Sequence, residues 1–133
     1  MSLTASPRFL PAVLWADAAS CLASGVLQLA AAPMLARLLG LSQGLLVQTG
    51  WVLVAVAAFA AFLARSRPVP RVGVYLLVAG NVAWVLGCIE LAFTGAAQTG
   101  LGVAYLLFQA IAVAAIAALE WAGVRRATPT AWA

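Results

Sequence analysis

Asp17, Ser20, Cys21, Ser24 and Gln28 recur along "LWADAASCLASGVLQLA" at i, i+3, i+4, i+7 and i+11. That spacing puts a carboxylate, two hydroxyls, a thiol and an amide on one face of a helix. Farther along, Gly80, Asn81, Trp84 and Cys88 share a second face, and Tyr105, Gln109 and Glu120 lie along a third. A carboxylate among amides and hydroxyls can hold a cation or a small hydrogen-bonding solute. Asp17 supplies the charge, Asn81 and Gln109 the orienting dipoles, Ser20 and Ser24 hydroxyls, and Trp84 an aromatic wall able to stack on a cation or ring. These six residues are the candidate ligand-binding set. The same residue types also serve as helix–helix glue, where each interhelical polar bond contributes about 0.6–2 kcal/mol.

Other chemistries find no footing. The chain has no histidine, which removes the commonest metal ligand and the usual haem ligand. Its two cysteines, Cys21 and Cys88, form no CxxC pair, and small apolar filler is the reading for both. No nucleophile–base pair, phosphate loop or metal-ligand spacing can be assembled, so no catalytic residue, metal or cofactor is expected and the chain does not read as an enzyme.

The elements that must position these residues follow from composition. Of 133 residues, 66% are hydrophobic and only 8% charged, too few polar side chains to coat a water-soluble particle of this size. Each helical crossing of a bilayer needs about 20 apolar residues, so the chain has room for four crossings in a single domain spanning 1–133. The spans are expected at about 9–32, 45–64, 72–93 and 101–123, forming an all-α four-helix transmembrane bundle. "PMLARLLGLSQG" reads as a short interfacial helix between spans 1 and 2, opened by Pro33 and closed by Gly40 and Gly44. Span 2, empty of polar side chains from Val52 to Leu63, is expected to turn most of its surface to lipid.

All seven basic residues are arginines, against three acids. An even number of crossings places six of them on one side and only Arg37 on the other, which predicts both termini in the cytoplasm and a multi-pass protein of the inner (plasma) membrane. The net charge of +4 therefore reads as topology rather than nucleic-acid binding.

Depth can be counted at about 1.5 Å per residue. Asp17 falls roughly 13–14 Å inward of Arg8 and Asn81 about 15 Å inward of Arg71, so both reach the midplane. A carboxylate there is costly unless paired, wetted or protonated. Asp17 is thus expected either neutral and bonded to Asn81 or a hydroxyl, or ionised beside water or a cation. Glu120, only about 7–8 Å from Arg125 by the same count, is expected to pair with a cytoplasmic arginine.

"GNVAWVLGCIELAFTG" followed by "LEWAGVRR" resembles a group of small bacterial four-span integral membrane proteins, with Asp17, Asn81, Trp84, Gln109, Glu120 and Arg125 as carriers of the resemblance. It implies the four-span fold and brings no activity. The chain is similar to small multidrug-resistance transporters only in having four short spans and an acid in the first, Asp here rather than their Glu.

Two functions lead, with a membrane enzyme acting on lipids ranked third because no nucleophile–base pair, metal site or phosphate-binding motif can be assembled. In the first, the seam binds or transports a small solute or cation, and a bundle this small needs a homo-oligomer to form a pathway. In the second, the chain is an accessory subunit of a larger membrane complex and the seam is glue.

Overall fold

The computed structural model describes residues 6–126, all of whose regular structure is helical. Five helices follow one another: α1 (Phe9–Ala30), α2 (Ala32–Leu39), α3 (Gln43–Arg65), α4 (Arg71–Phe93) and α5 (Gly100–Arg126). All but α2 are long and apolar enough to cross a membrane. The tail after Arg126 lies outside the described residues.

Local chemistry sets the ends. Pro11 falls in the first turn of α1, where its missing N–H deprives no carbonyl of a partner. Ala31 closes α1 by donating to Leu27 O over 2.9 Å. Pro33 then sits in the first turn of α2, where proline is again tolerated. Gly40, at φ +65°, ends α2 in the left-handed conformation that glycine adopts without a Cβ clash. The next cap is Ser42, whose hydroxyl accepts from Leu45 N at 3.1 Å. This cap starts α3 two residues before the expected second span and puts Gly44 inside the helix, so Gly40 alone closes α2. Pro68 and Pro70 keep the 66–70 segment from continuing α3. At the other connection Thr99 caps α5, its hydroxyl accepting from Gly102 N at 3.0 Å while donating to Leu38 O at 2.9 Å.

Packing arranges the long helices as two pairs. α1 lies along α3 and α4 lies along α5; the pairs meet chiefly through α1 and α5, and α3 barely touches α4. The α1–α3 crossing is close because two glycines face each other. A Cβ on Gly25 would stand 2.9 Å from Gly50 O, and one on Gly50 3.2 Å from Gly25 O. Span 2 turns most of its residues outward, as expected, yet α3 is also the main partner of α1 through one narrow stripe, where its small residues, Gly50, Ala57, Ala60 and Ala64, let it approach. On α4, by contrast, Gly80 and Gly87 have no atom within 4 Å of an added Cβ, so neither marks a close helix contact.

The apolar core splits into layers. Leu10, Leu14, Leu63, Val74 and Val124 pack at one end, and Leu39, Leu46, Ala92 and Leu106 at the other. Cys21, Leu53 and Ala57 form a thin layer between. Trp51, Phe62, Phe93, Phe108 and Ile111 are turned outward, a surface suited to acyl chains and far too apolar for water.

Candidate functional site

The polar side chains gather between those layers in two groups. The first is built on Asn81, on the inward face of α4. Its Nδ2 donates to Asp17 Oδ2 at 3.3 Å and to Glu120 Oε2 at 3.0 Å, so one amide bridges acids from α1 and α5. Asp17 Oδ1 accepts from Cys21 Sγ at 3.4 Å, one helical turn on. Asp17 is 1% exposed and Glu120 0%. The two carboxyl groups thus share a single amide donor. No stretch of α4 backbone comes close to α1, so Asp17 and Asn81 span the diagonal of the bundle through their side chains alone. Glu120 Oε1 is buried and accepts no hydrogen bond.

The arginine partner expected for Glu120 is replaced by Asn81. The reason is the placement of α5. Gly123 abuts Phe9 and Leu10, where an added Cβ would fall 3.3 and 3.1 Å from their ring and methyl carbons, and Val124 is fully buried. The last turns of α5 thus lie beside the first turn of α1, and Arg125 and Arg126 are exposed beyond it. Distance from Arg125 along the helix therefore does not set the partner of Glu120. Arg125 instead lies 5.5 Å over the ring of Trp121, which packs edge-on against Tyr75 at the same distance. Cys21, read as filler, is a donor to Asp17.

The second group carries no charge. Gln28 Nε2 donates to Tyr105 Oη at 2.7 Å and Gln28 Oε1 accepts from Thr49 Oγ1 at 2.7 Å, tying α1, α3 and α5 together. Trp84 Nε1 donates to Gln109 Oε1 at 3.0 Å. Gln28 therefore leaves the face it shares with Asp17 in sequence and serves this group instead.

Of the six candidate residues, the structure brings Asp17 and Asn81 together and joins Trp84 to Gln109. Ser20 is turned away: it is exposed, and its hydroxyl donates to Asp17's own backbone carbonyl at 3.0 Å. Ser24 is half-buried on the same helix. Glu120 is the residue that sequence reasoning assigned elsewhere. Its presence on an otherwise apolar buried face with Ala117 and Val124 is the signal that marks it.

Between α3 and α4 the bundle holds two cavities. One of about 210 Å³ is bordered by Cys21, Asn81 and Trp84 with apolar side chains of α3. The other, about 370 Å³, is bordered by Gln28, Thr49, Tyr105, Gln109 and Trp84 among leucines. Val52, Gly80 and Trp84 border both. Each polar group thus opens onto a mostly apolar chamber, with the Trp84 indole at the junction. Such a site can hold a small molecule with an apolar body and one polar or charged end. No group of histidines, cysteines and acids able to hold a metal ion occurs among the described residues. No protein-family model, curated protein or solved structure matches the chain.

Proposed function

We propose that this chain is a multi-pass protein of the inner membrane that binds, and by extension transports, a small solute or cation at its polar centre. The observation that carries the reading is the pair of fully buried acids whose hydrogen-bond partners are a neutral amide and a thiol, beside a cavity that the same amide and thiol border. Intramembrane acids held this way mark ion and solute sites more often than they mark packing. The arginine bias supports cytoplasmic termini, and the Met34 and Leu38 side chains exposed on α2 support its lying in the interface. The narrow interior supports a homo-oligomer as the working unit.

The test uses protein reconstituted in nanodiscs with Trp84 as sole tryptophan, titrated with sodium, guanidinium and tetramethylammonium. A saturable change in Trp84 fluorescence that Asp17→Asn abolishes, with expression and assembly retained, is the expected result.

The direct Asn81 contacts to both acids favour a second reading, in which the centre is glue within an accessory subunit of a larger complex. There Asp17→Asn is silent in every titration, and native purification brings down a stoichiometric membrane partner.

A further inference from the structure

We infer that Asp17 and Glu120 form one proton-holding pair, with the proton on Glu120 Oε1 and Asp17 as its acceptor. An inventory of donors leads there. Asp17 accepts on both oxygens, from Cys21 Sγ at 3.4 Å and Asn81 Nδ2 at 3.3 Å, so each of them already meets a donor. Glu120 accepts only on Oε2, from the second hydrogen of the same amide at 3.0 Å. Its Oε1 is buried and meets no donor. A carboxylate oxygen stranded in that way loses the full solvation it had in water. An O–H at Oε1, directed at the neighbouring Asp17, turns the stranded acceptor into a satisfied donor. It also removes one of two negative charges that would otherwise share a single amide in a low-dielectric interior.

The buried polar and charged side chains among the described residues are Asp17, Gln28, Asn81 and Glu120, a set without a cation. α1 brings Asp17 and the Cys21 thiol, α4 the neutral Asn81, and α5 Glu120 alone. α3 faces the centre with Leu53, Ala57 and Ala60. Arg125 is exposed and stacked over Trp121.

The pair so protonated carries one net negative charge, and this deepens the binding reading on which it rests. A monocation seated in the 210 Å³ cavity, beside Asn81 and against the Trp84 indole, would neutralise the centre. A dication would overcharge it, and a neutral solute would leave it charged.

Infrared spectroscopy of the ligand-free protein in lipid at neutral pH decides the inference without any ligand. Wild type is expected to show the carbonyl stretch of one protonated carboxyl group, slow to shift on transfer to heavy water. Glu120→Gln removes the band, and Asp17→Asn keeps it at higher frequency because the strong acceptor is gone. Glu90→Gln, at the chain's third acid, exposed near the end of α4, leaves it untouched. Absence of the band in wild type overturns the pair, as does its survival in Glu120→Gln. Wild type alone suffices for the first of these if a variant fails to fold. Titration with guanidinium forms a separate arm: a band without saturable binding upholds the pair and removes the cavity reading instead.

Discussion

The Asn81 side chain donates to Glu120 Oε2 over 3.0 Å, although Glu120 lies little more than one turn from the two arginines that end α5. Proximity along the helix did not decide the partner. Arg125 and Arg126 project past the end of α1 while Glu120 turns inward, and an amide on a third helix meets it there. One side chain thereby holds three helices in register. Cutting it tests how much of the fold depends on that centre.

Asn81→Leu keeps the volume and removes both donors. Two buried acids lose a shared hydrogen-bond partner, so unfolding in detergent should shift by about 1–3 kcal/mol. Asn81→Asp keeps the shape and adds a third acid, and should be worse than Asn81→Leu. Equal stability of Asn81→Leu and wild type would show that packing alone sets the α1–α4–α5 arrangement.

Gly25→Ala and Gly80→Ala change the same atom in opposite settings. The new methyl at Gly25 meets Gly50 O at 2.9 Å, whereas the one at Gly80 meets nothing within 4 Å. The first should destabilise by about 1–3 kcal/mol as α1 and α3 are forced apart. The second should be neutral or stabilising by up to about 1 kcal/mol, from helix propensity. Thermal unfolding of the two variants side by side checks the contrast.

Thr99→Ala removes a hydroxyl that caps α5 and anchors α2 at once. A loss of about 1–2 kcal/mol is expected, the usual range for a helix cap. Thr99→Ser keeps the oxygen and should retain most of the stability. If Ser behaves like Ala in thermal unfolding, the contribution lies in the methyl group and the capping account fails.

Gly80→Phe places a ring where the two cavities meet, from a position with open space around it. The variant should fold with unchanged stability and lose the Trp84 fluorescence response to added cation at least tenfold. Retained binding with the cavity filled would move the ligand elsewhere.

The four long helices were legible because bilayer-length apolar runs punctuated by proline, glycine and arginine admit little else. The Asp17–Asn81 pairing was legible too, since both count to the same depth from their own arginines. Glu120 was not. Its depth depends on how far α5 slides past α1, a matter of Gly123 fitting against Leu10, and no residue count carries that information. The role of α3 was hidden for a related reason: from Val52 to Leu63 it has no polar side chain to mark which side packs, and only the structure shows that its small residues form the stripe against α1. Gln28 shows the third limit. Helical spacing put it on the Asp17 face, but a side chain eleven residues away belongs to a different layer, where Tyr105 and Thr49 compete for it.

α3 and α4 touch lightly, Leu63 packing against Gly73, and both cavities lie along their seam. In a bilayer, hydrocarbon tails would lie against that seam. Under the binding reading proposed above, the host lipids then border the site's entrance, and a guest reaches it sideways from the lipid without crossing either aqueous face. A site bordered by the protein's own solvent has an occupancy that follows the makeup of that solvent.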